Sequence, residues 1–180
     1  MKPATPEFPG EAILLEIDLP DPDETGRIAG VLAQIVRSGD ILALWGDLGA
    51  GKTTFARGFI GALSGGAEAV PSPTFTLVQT YPAVIAGAAA EVWHFDFYRL
   101  KRPADAYETG IEEAFAGGIS LIEWPDRLGN AVPKAALRLA LALEGEGRRA
   151  VLSAPGHPDL IAALAAAFGT EAGLEAGLDA

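Results

Sequence analysis

The 180-residue chain carries 24 acidic against 13 basic residues, a formal charge of −11, with 49% hydrophobic and 21% charged residues. That length suits one domain with a full core, and the absence of cysteine excludes disulfides, thiol catalysis and cysteine zinc sites. The acidic balance disfavours a direct, strong grip on a nucleic-acid backbone and suits a protein partner. There is no apolar stretch of about 18 residues and no signal-like apolar N-terminus, so a cytoplasmic protein is expected, with no membrane role.

Residues 1–10 hold three prolines and read as a loose lead-in. Ala12 to Leu19 reads as a strand. Pro20 to Thr25 is a helix-start signal, rich in acids where the helix dipole favours them. Ile28, Val31, Leu32, Ile35 and Val36 then share one helical face, with Gly39 as the expected C-cap. Ile41 to Trp45 is a continuous apolar run, the pattern of a central buried strand. A glycine-rich turn follows, and after it a helix pattern running to about Leu63, ended by Ser64-Gly65-Gly66.

Pro71 to Tyr81 starts with two prolines that forbid helix and continues as an extended segment or strand. Ala83 to Ala90 reads as a hairpin turn, and Glu91 to Tyr98 as the strand returning antiparallel. Pro103 to Glu108 and Ile111 to Phe115 look like short helices. Ile119 to Trp124 is an apolar strand carrying Glu123 at its end and broken by Pro125. Ala136 to Leu143 and Arg148 to Ser153 form a hairpin around Glu144-Gly145-Glu146-Gly147. Asp159 to Phe168 is a helix. The domain is therefore expected over residues 1–168, followed by a frayed acidic tail over 169–180.

The turn after Trp45 carries the chemistry. Gly46-Asp47-Leu48-Gly49-Ala50-Gly51-Lys52-Thr53 fits G-x-x-x-x-G-K-[ST], the phosphate-binding P-loop. Gly46, Gly49 and Gly51 leave no side chain between backbone and phosphate, so the loop's N–H groups can hold a polyphosphate at a helix N-terminus. Lys52 supplies charge to the β- and γ-phosphates, and Thr53 offers a hydroxyl to Mg²⁺. Such a loop needs a second acid at the end of a neighbouring strand to hold the cation, and Glu123 fits best. Asp96, on a strand between Phe95 and Phe97, either orients a water or helps hold the metal, or else pairs with Arg99 or Arg102. Thr74 and Thr76 stand where P-loop hydrolases place a γ-phosphate-sensing segment, or in a plain edge strand. His94 is a general-base candidate or a core histidine. Trp124 is core or a stacking surface.

Taken together, Gly46 to Thr54, Ser72-Pro73-Thr74-Phe75-Thr76-Leu77-Val78, His94-Phe95-Asp96-Phe97-Tyr98-Arg99 and Leu121-Ile122-Glu123-Trp124-Pro125 resemble the TsaE (YjeE) family. That family contains bacterial ATPases needed to make threonylcarbamoyladenosine in tRNA. The resemblance implies an α/β fold, a single P-loop NTPase-type domain with a mixed parallel and antiparallel central sheet flanked by helices. It implies ATP/ADP and Mg²⁺, weak intrinsic hydrolysis, and the TsaD–TsaB transferase complex as partner, with tRNA met only through that complex. By motif position, the loop formed by Gly46, Asp47, Leu48, Gly49, Ala50, Gly51, Lys52, Thr53 and Thr54 would bind nucleotide. Thr53 and Glu123 would hold Mg²⁺; Lys52, Asp96 and Glu123 would serve hydrolysis, with Thr74 and Thr76 in the switch-like segment. The adenine side would involve Pro22 to Thr25, with Thr25 as the named residue, and Arg148 in the late hairpin. Pro22 has no backbone N–H to offer there.

Three other readings compete. A small-molecule P-loop kinase would need an arginine-rich lid, and the arginines here are scattered. A GTPase would need N-K-x-D, and Asn130 is followed by Ala131. A non-enzymatic ATP-sensing subunit differs from the ATPase in whether Asp96 and Glu123 both reach the γ-phosphate.

Overall fold

The computed structural model describes residues 15–66, 70–155 and 157–169. Within them, seven strands form one sheet: β1 (Leu15–Leu19), β2 (Ile41–Trp45), β3 (Val78–Ile85), β4 (Ala88–Asp96), β5 (Ile119–Glu123), β6 (Leu137–Glu144) and β7 (Gly147–Ser153). Their spatial order is β1-β7-β6-β2-β5-β4-β3, with β2 at the centre. β2 runs parallel to both β6 and β5, and β4 runs parallel to β5. The pairs β1–β7, β6–β7 and β3–β4 are antiparallel. The sheet is thus mixed, with a parallel centre and antiparallel edges, as expected.

Helices α1 (Pro22–Ala33), α2 (Lys52–Leu63) and α4 (Pro158–Phe168) contribute to one core with Leu15, Ile17, Leu19, Leu42, Leu44, Leu139 and Leu152. A second cluster joins Phe95, Phe97 and Ile122 to α3 (Ile111–Gly117) and to two 3-10 segments, Pro103–Thr109 and Pro125–Ala131. Leu42 and Leu44 belong to the first cluster while Ile41 packs against the second. Strands covered on both faces favour apolar residues at every position, which is why β2 reads as an unbroken apolar run and β5 departs from one only at Ser120 and its terminal Glu123. None of the described helices is long and apolar enough to cross a membrane.

Local chemistry sets the element ends. Asp21 caps α1 by accepting the Glu24 N–H at 2.9 Å, and Pro22 takes the first turn, where its missing N–H leaves no bond unmade. The helix stops at Ala33, earlier than the apolar spacing suggested, and Gly39 is not its cap. The Gln34 and Ile35 amides turn back to Val31 and Leu32 at 3.2 and 3.1 Å, and Ile35 and Val36 still pack on the core from outside the helix. Gly39, at φ +91°, sits in the turn before β2 and donates to the Gly118 carbonyl at 2.8 Å. The β3–β4 turn is also tighter than Ala83–Ala90: only Ala86 and Gly87 leave the ladder, at φ +49° and +82°. The small alanines carry no alternation signal, yet their backbones pair fully. Of the expected lead-in and tail, residues 1–14 and 170–180 lie outside the described residues.

Helices α1 and α2 approach closely through small residues. A Cβ built on Gly58 would lie 3.2 Å from the Ala29 methyl and 3.3 Å from the Gly26 Cα, whereas Gly61, one turn on, has open space around it. Gly58→Leu should therefore overpack this contact and destabilise by about 1–3 kcal/mol. Gly61→Ala should stabilise by roughly 0.5–1 kcal/mol through helix propensity. Thermal unfolding checks the pair; equal shifts of the same sign would contradict this packing.

Candidate functional site

The loop between β2 and α2 needs glycine at three places. Gly46, Gly49 and Gly51 stand at φ +136°, +81° and +107°, a region that costs other residues free energy. Gly46 has a second reason: a Cβ there would run into the Leu141 carbonyl of β6. The Ala50 amide closes the turn onto the Asp47 carbonyl at 3.1 Å. Lys52 opens α2 and is only 4% exposed. Its Nζ donates to the Gly46 and Asp47 carbonyls at 2.5 and 2.9 Å and sits 3.8 Å from the centre of the Trp124 ring. Burial pushes the Lys52 ammonium below the usual lysine range, while Glu123, Asp96, Asp47 and Asp126 pull it partly back.

Two acids face this lysine from adjacent strand ends. Asp96 and Glu123 are direct partners in the parallel β4–β5 register, and Glu123 in turn pairs with Leu44 of β2. Glu123 is 2% exposed; its Oε2 accepts the Thr53 hydroxyl at 3.0 Å, and its Oε1 lies 2.9 Å from His94 Nε2. Asp96 Oδ2 accepts the Thr74 hydroxyl at 2.7 Å and, more weakly, that of Ser72 at 3.4 Å, while Oδ1 accepts the Tyr98 N–H at 3.0 Å. Asp96 therefore has neither arginine considered for it. Arg102 pairs with Asp105 at 2.7 Å, and the Arg99 guanidinium lies 4.5 Å from the centre of the Phe75 ring.

A cleft of about 260 Å³ opens above these groups, lined by Leu48, Gly49, Gly51, Lys52, Thr53, Thr54, Thr74, Asp96 and Glu123, together with Tyr98 and Trp124. A second cleft of about 170 Å³ shares Gly49, Gly51 and Thr54 with it and is walled by Thr25, Pro22 and Arg148. The loop thus has a space on either side, one acidic with a buried cation, one between the start of α1 and the β6–β7 turn. Arg148 ties the turn to the loop by donating to the Gly49 carbonyl at 3.3 Å.

Of the loop residues singled out in the sequence, Gly46, Asp47 and Ala50 line neither cleft. Gly46 and Asp47 act through their carbonyls on Lys52, and Ala50 is buried beneath the loop. Thr76 lines neither cleft; it is exposed, and its hydroxyl turns back to the Pro73 carbonyl at 3.5 Å. Tyr98 and Trp124 line the cleft with ring centres 4.9 Å apart. Tyr98 stands two residues beyond Asp96, past the end of β4, and the alternation of His94, Asp96 and Tyr98 in the sequence is the signal that points to it. His94 does not line the cleft and is fully buried, so it has no path to act as a base on a molecule there.

Because nearby acids raise the Lys52 pKa against its burial, Asp96→Asn should lower that pKa further. An NMR titration of the Lys52 side chain reads this directly; an unchanged or raised midpoint would contradict the electrostatic balance described.

Comparison with known proteins gives the family. The family model for "Threonylcarbamoyl adenosine biosynthesis protein TsaE" matches residues 19–151. The tRNA threonylcarbamoyladenosine biosynthesis protein TsaE of Bacillus subtilis is 36% identical over 132 residues, covering 73% of this chain and 79% of that protein. The protein of the same name from Rickettsia felis is 39% identical over 127 residues, covering 71% and 72%. That from Rickettsia conorii is 46% identical over 104 residues, but the match spans only 57% of the relative's length and 58% of this chain. The crystal structure of Bacillus subtilis YdiB superposes with a TM-score of 0.69 at 27% identity, covering 89% of this chain and all of that one. The chain belongs to the TsaE family, whose members are threonylcarbamoyl adenosine biosynthesis proteins.

Proposed function

We propose that the chain is a Mg²⁺-dependent ATPase of tRNA threonylcarbamoyladenosine formation, acting in the cytoplasm with the TsaD–TsaB transferase and supporting its turnover. In this reading tRNA is met only through that complex, in keeping with the net charge of −11. The observation that carries the proposal is the pairing of Asp96 with Glu123 across β4–β5 at the mouth of the glycine-rich loop.

The donor set fits Mg²⁺. Thr53 and Glu123 offer hard oxygens 3.0 Å apart and would hold the ion. Among the described residues no group of three or more His, Asp or Glu converges, and Mg²⁺ takes most of its shell from waters and substrate phosphates. When bound, the ion supplies positive charge against the β- and γ-oxygens. The loop amides and Lys52 bind and orient the same phosphates, and electrostatic positioning is most of what phosphoryl transfer requires of a protein. Asp96, an acceptor lining the same cleft, would orient the attacking water. Thr74, hydrogen-bonded to Asp96, would couple that acid to the segment before β3. The second cleft would take the nucleoside, with Thr25 and Arg148 on its walls.

A second reading has one specific support. Asp96 already accepts from Thr74, Ser72 and the Tyr98 amide, which occupies much of its acceptor capacity. An acid so engaged suits an ATP-sensing subunit whose nucleotide controls its partner affinity. The kinase reading loses ground, because Arg99 and Arg102 are engaged with Phe75 and Asp105 and do not line the cleft.

Phosphate release with Mg²⁺, measured alone and with TsaD–TsaB, tests the proposal, with GTP as control. Turnover should be selective for ATP and stimulated by the pair. Lys52→Ala should lose ATP-dependent turnover by at least roughly 10²-fold. Asp96→Ala should lose turnover by about 10²–10⁴-fold while nucleotide affinity changes only a few-fold. Normal hydrolysis by Lys52→Ala would sink the proposal. ATP binding without turnover under either condition would favour the sensing subunit.

A further inference from the structure

His94 is 0% exposed, yet it is polar, and its Nδ1 is buried with no hydrogen-bond partner. Its other ring nitrogen lies 2.9 Å from Glu123 Oε1. A proton on Nδ1 would be a buried donor with nothing to donate to, so the geometry selects the tautomer with the proton on Nε2. That nitrogen then donates to Glu123. An apolar side chain would fill the same space without an unpartnered nitrogen, whose desolvation costs roughly 1–3 kcal/mol. The bond to Glu123 is what a histidine adds here.

Glu123 is held at both ends. Thr53 donates to Oε2 at 3.0 Å from the first turn of α2, and His94 reaches Oε1 from β4. A glutamate has three rotatable side-chain bonds, and two donors from different elements fix the plane of its carboxylate. Thr53 belongs to the cleft and would itself meet the cation, whereas His94 lies behind Glu123 and outside the cleft. Resting on the ATPase reading above, we infer that His94 is a positioning residue. It fixes the Glu123 carboxylate so that Oε2 and the Thr53 hydroxyl stay together as one Mg²⁺ site, and it touches neither nucleotide nor cation. Partners behind a metal-binding carboxylate or imidazole commonly change metal affinity by about 10–100-fold when removed.

The test uses reach. The glutamine amide nitrogen lies near the place of Nε2, whereas the asparagine amide falls at the place of Nδ1. Full-length wild type, His94→Gln, His94→Asn and His94→Leu are titrated with Mg²⁺ at fixed fluorescent ATP analogue, and binding is also read in excess EDTA. Folding is checked by thermal melts. The Mg²⁺ concentration giving half of the affinity gain should rise about 10–100-fold in His94→Asn and His94→Leu. It should return to within a few-fold of wild type in His94→Gln. Wild-type Mg²⁺ dependence in folded His94→Asn or His94→Leu would overturn the inference, as would a His94→Gln variant no better than His94→Asn. If wild type itself gains no affinity from Mg²⁺, the metal-dependent ATPase reading fails, and the inference falls with it. The two failures are thus distinguished by the wild-type curve alone.

Discussion

The site depends on the parallel register of three neighbouring strands. Leu44 of β2 pairs with Glu123 of β5, and Glu123 pairs with Asp96 of β4. Parallel strands end on the same side, so one register brings the loop after β2 and both acids to a single edge of the sheet. A slip of one residue in β5 would turn Glu123 to the opposite face and send Ile122 towards the loop. The burial pattern resists that slip. Leu121 belongs to the cluster under α1 and α2, and Ile122 to the cluster under α3 and the two 3-10 segments. The hydrophobic core therefore fixes the position of the carboxylate.

The same edge buries Lys52, Asp96 and Glu123, each at most 4% exposed as a residue. Burial of charge is costly unless partners are supplied, and each of the three has them. Lys52 has two carbonyls and an indole face, Glu123 has Thr53 and His94, and Asp96 has Thr74, Ser72 and the Tyr98 amide. The Trp124 backbone takes φ +60°, uncommon for a bulky side chain and the kind of local cost that persists where the surroundings compel it. It turns the chain sharply out of β5 and sets the indole over the Lys52 ammonium. Fold stability and site geometry thus meet in the same few residues.

Much of this was legible in the sequence, for identifiable reasons. The apolar runs of β2 and β5, the glycine-rich turn and the acid closing β5 are local patterns with strong physical causes. The failures are as instructive. Gly39 looked like a cap because apolar spacing continues to Val36, but Ile35 and Val36 reach the core from a turn rather than from a helix. The β3–β4 turn reads too broadly in the sequence because alanine pairs in a ladder without marking a face. Thr74 and Thr76 read alike in the sequence, yet the Thr76 and Leu77 amides turn back onto the Pro73 carbonyl and leave Thr76 outside the cleft. The choice between arginine and threonine partners for Asp96 depends on where residues 72–74 return in space, and local pattern does not encode that. The same holds for His94, whose meaning lies in an atom 29 positions away.

The two acids differ in what holds them. Glu123 is tied to β4 and α2, elements packed into the two cores. Asp96 is tied through Thr74 and Ser72 to the turn before β3, where Leu77 takes φ +65° and Phe75 is 82% exposed. Displacing Glu123 requires disturbing the sheet. Displacing Thr74 and Ser72 from Asp96 requires moving only the turn before β3, while the Tyr98 amide holds Oδ1 from the chain just beyond β4. Thr74 and Phe75 are adjacent in the chain, so a contact on the exposed ring is one peptide unit from a hydrogen bond to the acid. In the proposed ATPase, cation binding would then belong to the rigid acid, and responsiveness to a partner would belong to Asp96.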